Sequence, residues 1–434
     1  MVIPQLFGIQ EDPLRDDSTL FQTSSQPVGM GVTGPVSVSS PEQVSMGSSS
    51  PSISPIGALR TYKTDRFEFT LHQISTSIDD SYNQLFSSIL SGVEPNWSLF
   101  RHAAKELLGE TQSPQVMDSF FEVAEPISSL LVRQGKLEAA CCYWTNILDA
   151  VTSAEDVTGN KCHKGSGYYF WSCAHFARGD VDTALLLMHE ALVEDKLYRN
   201  PARQAWPDTS ASMVISLNND ITVHHPASQW INNQVIEIDN ALSTANSGIT
   251  ADEIRSRFFM QSDPASVFLF IYAHAALLRI ENVNPRHRDN VFVGRLALSY
   301  LFHIAVVIEN ALQHKTGITG FFGDQIKELS SRRGGLLKTL IPGQNRNRQY
   351  LSDLNRQSQD NPDMLLRGLL SGTSSFQIDG TCIACQDRPL CIAYVLRNLG
   401  GHCLDAPSVV AERLHDLRVQ MLAVLAVCIR EYYP

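Results

Sequence analysis

Apolar residues recur every three or four positions along most of the chain beyond Tyr62, and the alternation that marks a half-buried strand is rare. One of the longest apolar stretches, ASVFLFIYAHAALL from Ala265 to Leu278, is interrupted by Ser266 and His274. It is shorter than the roughly 18 residues that a membrane-spanning helix needs, so it is typical of a buried core helix. The pattern predicts an all-α protein without a membrane-spanning segment.

Two helical hairpins are predicted in the first half of the chain, because Gly135 and Gly179 each separate two apolar stripes with helical spacing. An alanine and then a bulky residue follow both glycines at the same distances: Ala140 and Trp144, Ala184 and Met188. This pattern resembles tetratricopeptide repeats, although the two units lie further apart than the family period of about 34 residues. The resemblance implies a surface for a protein partner; a helical domain that only packs on its neighbour is the alternative.

Composition and periodicity together predict three parts. Residues 1–60 form a low-complexity tail rich in Ser, Gly and Pro, which lacks the apolar surface to offset the entropy of ordering and is therefore expected to be disordered. Residues 61–262 form the tetratricopeptide-like helical domain, and residues 263–434 form a second helical domain. The role of residues 196–262 is left open.

The formal net charge of −11 argues against nucleic-acid binding through bulk charge, so any such site must be local. Nine cysteines form an odd set without a regular framework, which favours a reducing compartment. The first residues carry acids where a secretory signal carries Lys or Arg. These features predict a cytoplasmic location.

A local basic cluster lies between Lys327 and Arg356, where seven Lys and Arg residues accompany only two acidic residues. Such a cluster is a candidate path for an RNA backbone. A solvated basic loop without a ligand is the alternative. The candidate RNA-binding residues are Arg332, Arg333, Lys338, Arg346 and Arg348.

The segment YVLRNLGGHCL carries the candidate chemistry: Arg397, Asn398 and His402. Because glycine ends helices, Gly400 and Gly401 are expected to stop the helix here and to let His402 turn back beside Arg397. Neutral His402 would accept the proton of an RNA 2′-hydroxyl, since its ordinary pKa lies near neutral pH. Arg397 would hold the attacked phosphate, and Asn398 would orient it. These are the groups required to cleave RNA without a metal.

The string LRNLGGH, placed before the last long helix, resembles the signature of the HEPN superfamily of helical nucleotide-binding domains. The resemblance covers roughly residues 264–434. It implies a metal-independent endoribonuclease that leaves a 2′,3′-cyclic phosphate, needs no cofactor, and dimerises so that two motifs form one composite site. Joined to a partner-binding helical domain, such an effector would suit a regulated toxin or an antiviral defence protein.

Four alternatives to catalysis stay open. The first is that the chain is a non-catalytic helical scaffold, and the second is that its HEPN-like domain binds RNA, nucleotide or a partner without cutting. The third concerns the motif alone: in it, Arg397 makes only a surface ion pair and His402 caps a helix. Finally, C-x-x-C spacing raises the possibility of a structural zinc site near the motif, from Cys382, Cys385, Cys391 and Cys403.

The final helix, predicted from about Ser408 to Tyr432, has one narrow apolar seam with alternating spacings of three and four residues. The seam packs in the core or, alternatively, contacts a second copy of the chain. It consists of Leu414, Leu417, Met421, Val424 and Cys428.

Overall fold

The computed structural model describes residues 59–63, 68–72, 84, 88, 93, 95–110, 116–198, 209–218, 225–282, 291–318, 321–337, 350–402 and 406–433. These residues belong to one unit, Pro55–Pro434. Their secondary structure is helical except for one short hairpin, which confirms the predicted all-α class. Most of the predicted tail, residues 1–58, lies outside the described residues.

The hairpin consists of two antiparallel strands, β1 (Leu59–Lys63) and β2 (Glu68–His72). Its register places Thr61 opposite Thr70 and Tyr62 opposite Phe69, pairings of β-branched and aromatic residues that favour antiparallel strands. The segment from residue 61 onward, predicted to be helical, therefore includes one strand pair at its start. Five-residue strands are too short to dominate a periodicity window sized for helices.

The helices of the first half include two hairpins whose turns contain the predicted glycines. Gly135 and Gly179 both have positive φ, at 70° and 81°, which glycine adopts without the strain of a Cβ. The next amide at each turn bonds the carbonyl five residues back, as in a Schellman motif. The helices are α1 (Trp97–Glu110), α2 (Val116–Arg133), α3 (Leu137–Thr158), α4 (Gly165–Arg178), α5 (Val181–Tyr198), α6 (Ser210–Ile215) and α7 (His225–Thr244).

The alanine and the bulky residue that follow each turn glycine at equal distances lie in the core. Ala140, Trp144, Ala184 and Met188 are each 0% exposed. The Trp144 indole Nε1 donates a hydrogen bond to Ser128 Oγ at 2.7 Å, so its polar group is satisfied inside the apolar cluster. These positions therefore stabilise the hairpins themselves, and the predicted partner surface has to lie on other residues.

The second half begins with a short helix, α8 (Ala251–Glu253), that continues as a π-helical turn (Ile254–Phe258) and a 3₁₀ turn (Phe259–Gln261). Asp263 then caps the next helix by accepting from the amides of Ala265 and Ser266. The remaining helices are α9 (Pro264–Glu281), α10 (Val291–Thr316), α11 (Phe322–Arg332), α12 (Tyr350–Asp360), α13 (Pro362–Ser371), α14 (Arg388–His402), α15 (Ser408–Glu412) and α16 (Leu414–Tyr432).

Helix α10 is the centre of this half, because it contacts α9, α11, α14, α15 and α16. Helices α12 and α13 also pack on α14. All five seam residues of α16, from Leu414 to Cys428, are no more than 4% exposed. The seam therefore packs in the core of a single chain.

Two helices, α9 and α10, are long and apolar enough to cross a membrane, with 18 and 26 residues. The expectation that the α9 stretch is too short to span is therefore wrong, since the helix extends beyond the apolar letters at both ends. Both helices pack against each other and against α16, and about half of each apolar window is buried.

Packing contacts cross the predicted domain boundary at residues 262/263. Helix α7 contacts α16, and α5 and α6 contact α9. Between them lies a buried polar network in which Arg418 bonds both Glu281 and His274, and His274 bonds Gln234. The division into residues 61–262 and 263–434 stays a prediction.

Candidate functional site

The candidate motif lies in the last two turns of α14, which runs without interruption through Gly400 and Gly401 to His402. The prediction that the two glycines stop the helix is therefore wrong. The reason for Gly400 is a close helix crossing: a Cβ at this position would lie 2.4 Å from Phe302 Cβ on α10. Only hydrogen fits between the two helices here.

This continuation changes the expected relation between the two catalytic candidates. Residues five positions apart on a regular α-helix point about 140° away from each other. Arg397 and His402 have this spacing on α14. The side chain of His402 lies outside the described residues, so its pairing with Arg397 stays a prediction.

Arg397 is held by a carboxylate on the central helix. Its Nε donates to Glu309 Oε2 at 3.1 Å and its Nη2 faces Glu309 Oε1 at 3.5 Å. Glu309 is only 7% exposed, and a buried carboxylate of this kind requires a paired cation. The pair therefore orients the guanidinium, whose side chain remains 31% exposed.

Asn398 is also held in place from a neighbouring helix. Its Nδ2 donates to Asn355 Oδ1 on α12 at 3.3 Å. Together with Tyr394, the pair Arg397 and Asn398 occupies positions i, i+3 and i+4 of α14, which form one helix face. That face borders a pocket.

The pocket has a volume of about 290 Å³ and lies between α14, α12 and the start of α11. Its wall combines two cations, one carboxylate, an amide, two hydroxyls and aromatic rings. The ring of Phe321 is 86% exposed. The lining residues are Phe321, Phe322, Gly323, Asp324, Lys327, Leu351, Ser352, Tyr394, Arg397 and Asn398.

Sequence reasoning missed several members of this site. Tyr394 carried a signal, since it lies one turn before Arg397 within the segment that was singled out. Lys327 belonged to the basic cluster but was not chosen as a site residue. Phe321 and Glu309 carried no local signal, because only the packing of α11 and α10 on α14 brings them here.

The predicted RNA-binding arginines of α11 have partners within the chain. The Arg332 Nε donates to Glu328 at 3.2 Å, and its guanidinium lies 4.7 Å from the centre of the Tyr432 ring. Arg333 Nη1 donates to the Gln386 carbonyl at 3.1 Å. Their role in RNA binding stays a prediction, and Lys338, Arg346 and Arg348 lie outside the described residues.

The cysteines near the motif differ in their surroundings. Cys382 and Cys385 are exposed, whereas Cys391 is buried on α14, where burial raises the pKa of its thiol well above the ordinary range. Cys403 lies outside the described residues. Among the residues that the structure describes, no three His, Cys, Asp or Glu side chains gather at a spacing suited to a metal ion.

No protein-family model, no curated protein and no solved structure matches this chain. The likeness to HEPN domains therefore depends on the LRNLGGH motif, and the likeness to tetratricopeptide repeats depends on the two glycine-centred hairpins.

Proposed function

We propose that the chain is a metal-independent endoribonuclease whose site is built on α14. The observation that supports this function best is that Arg397 and Asn398 line one pocket together with Lys327 and three aromatic side chains. Cations with aromatic rings form the usual surface for a single nucleic-acid strand. The bulk of the chain is acidic, so RNA would be attracted only locally.

In this mechanism His402 removes the proton from a 2′-hydroxyl, and the 2′-oxygen attacks the adjacent phosphorus. The bond to the 5′-oxygen breaks and this oxygen takes up a proton from water, which leaves a 2′,3′-cyclic phosphate and a 5′-hydroxyl, while His402 releases the proton that it accepted. Arg397 stabilises the charge that gathers on the phosphate, and Asn398 orients it. Because α14 continues to His402, the proposal includes a homodimer in which His402 of a second copy completes the site beside Arg397.

A second candidate function is binding of RNA or nucleotide without cleavage. The ion pair with Glu309 favours it, because this carboxylate already balances the charge of Arg397. A phosphate would have to bind the guanidinium N–H groups that do not donate to Glu309. Arg397 would therefore bind a phosphate less strongly than an arginine without a carboxylate partner would. A purely structural scaffold is the third possibility.

The test is RNA cleavage by purified protein in EDTA, with mapping of the fragment ends. We expect wild type to produce cyclic-phosphate ends and both Arg397→Ala and His402→Ala to lose at least about 100-fold in rate, the contribution of a general base or an oxyanion donor. Arg101→Ala, at an exposed position of α1, is the matched control and retains full activity. Equal, inactive behaviour of all four proteins contradicts the enzyme and leaves the binding protein.

The wider role is proposed on the same basis. We place the protein in the cytoplasm, where the helices of residues 61–262 would bind a protein partner that regulates cleavage. A toxin or antiviral defence effector is organised in this way, with one domain that senses and another that cuts. This assignment is an analogy of architecture.

A further inference from the structure

We propose that the pocket beside Arg397 binds one unpaired nucleotide of the RNA, with its base stacked on Phe321 and its phosphate beside Lys327. The inference rests on the proposed RNA site and adds the residues that recognise the substrate there. It makes Phe321 a binding residue for a base that is not paired in a helix. None of this was visible in the motif itself.

Phe321 is placed for stacking rather than for folding. It is the most exposed large apolar side chain among the described residues, at 86%. Its neighbour Phe322 is 2% exposed and anchors the start of α11 in the core. An exposed ring at the mouth of a pocket offers its face to any base, because every base has a flat apolar surface.

The start of α11 also packs closely against α14 and α12. A Cβ at Gly323 would lie 3.2 Å from Tyr394 Cε2 and 3.3 Å from Leu351 Cδ1, closer than an ordinary contact. The pocket wall on this side is therefore preformed. A preformed wall reduces the entropy lost when a nucleotide binds.

The phosphate position follows from the charges around the pocket. Lys327 pairs with Asp324 at 3.2 Å, but Asp324 is half exposed, and such a surface pair contributes little. Lys327 can therefore exchange Asp324 for a phosphate at small cost.

The size of the pocket selects a single nucleotide. Its 290 Å³ lies just below the range for ligand sites, which begins at about 300 Å³. A helical RNA segment cannot enter such a volume, and a base engaged in stacking within a duplex cannot lie on Phe321. The substrate is therefore RNA that is single-stranded at this nucleotide.

The test is fluorescence anisotropy with a labelled single-stranded RNA octamer and with the same sequence in a duplex. Binding is measured in EDTA on a His402→Ala parent, which removes turnover. We expect the parent to prefer the single strand and Phe321→Ala to bind it roughly 5- to 100-fold more weakly, the loss of one stacked base. Phe321→Tyr keeps a ring and is expected to bind as the parent does.

Two further variants separate stacking from general effects. Phe292→Ala removes another exposed phenylalanine, 65% exposed and outside the pocket, and is expected to leave binding unchanged. Lys327→Ala is expected to reduce the slope of log K for binding against log salt concentration by about 0.7. This is the contribution of one phosphate contact on a single strand. Equal binding by the parent and Phe321→Ala overturns the nucleotide site.

The outcomes distinguish this inference from the proposed enzyme. If wild type does not cut RNA but the parent binds the single strand through Phe321, the nucleotide site stands and the endoribonuclease fails. If wild type cuts RNA and Phe321→Ala cuts and binds equally well, the endoribonuclease stands and the nucleotide site fails. A parent that binds neither RNA, together with a wild type that does not cut, overturns both.

Discussion

At the scale of single residues, the two glycines of the motif have different surroundings. Gly400 faces Phe302 at the crossing of α14 and α10, whereas at Gly401 a Cβ would lie 3.5 Å from Phe302 Cε2, an ordinary contact. Gly401 is also exposed. One glycine is therefore required by packing, and the other is not.

This difference predicts opposite effects of alanine at the two positions. Gly400→Ala forces its Cβ into Phe302 and is expected to lower the free energy of unfolding by about 1 to 3 kcal/mol. Gly401→Ala reduces the entropy of the unfolded chain without a clash, so it is expected to be neutral or to raise stability by up to ~1 kcal/mol. Urea denaturation of both variants measures the difference. Equal stabilities would show that α14 does not pack on α10 at Gly400.

The same scale includes the pair of Glu309 and Arg397. Glu309→Ala leaves Arg397 without its carboxylate, but the guanidinium is 31% exposed and can turn to water. We therefore expect a loss of only about 1 to 2 kcal/mol in urea denaturation, less than for a fully buried pair. Glu309→Gln, which keeps one hydrogen bond acceptor, is expected to lose less than alanine does. A larger loss for glutamine would contradict the assigned contact.

At the scale of elements, the turns of the two helical hairpins depend on backbone geometry alone. Gly135 has positive φ, yet a Cβ there would meet nothing within 4 Å. Glycine is therefore required at this position by the backbone conformation and not by crowding from neighbouring side chains. Gly109, near the end of α1, has equally open surroundings and lacks positive φ.

Alanine substitutions at Gly135 and Gly109 are expected to change stability in opposite directions. Gly135→Ala is expected to cost about 1 kcal/mol, because an L-residue is strained in the left-handed region. Gly109→Ala is expected to stabilise by about 0.5 kcal/mol, since alanine favours the helix. Both values come from urea denaturation followed by circular dichroism. A neutral Gly135→Ala would mean that the α2–α3 turn has another conformation.

At the scale of the whole molecule, the buried network around Arg418 joins helices from both halves of the chain. His274 is 0% exposed, and burial, with the nearby Arg418 charge, lowers the pKa of its imidazole well below the ordinary value. Arg418 Nη1 donates to His274 Nε2 at 3.3 Å, so the proton of the neutral ring is on Nδ1 and is donated to Gln234 Oε1 at 3.0 Å.

This network predicts a loss of stability in acid. The unfolded chain protonates His274 near pH 6.5, whereas the folded chain does not, so the stability that the neutral ring contributes is complete above pH 6.5 and is lost as the pH falls below it. The free energy of unfolding is expected to fall by about 1.4 kcal/mol per pH unit below pH 6.5. Urea denaturation between pH 5 and pH 7.5 measures it, with His274→Gln as the variant that lacks this slope. Parallel profiles would exclude His274 as its source.

The fold was predictable to the extent that it depends on local pattern. Helical periodicity and the glycines at positions 135 and 179 are properties of short segments, and the structure has helices and turns where they indicate them. The β hairpin was missed because its strands are short. The continuation of α14 through Gly400 was missed because glycine has a local preference that a neighbouring helix can override.

What the amino-acid sequence determined by itself is therefore the helical class, the two Schellman turns and the presence of Arg397 beside Asn398 on one helix face. Each follows from φ/ψ preferences and side-chain spacing within a few residues. Only the tertiary structure decided that Glu309, far away in the sequence, orients Arg397, and that Phe321 and Lys327 complete its pocket. These contacts result from the packing of helices that are distant in the sequence. Which helices pack together depends on the shape and charge of their buried surfaces, which a short segment does not reveal.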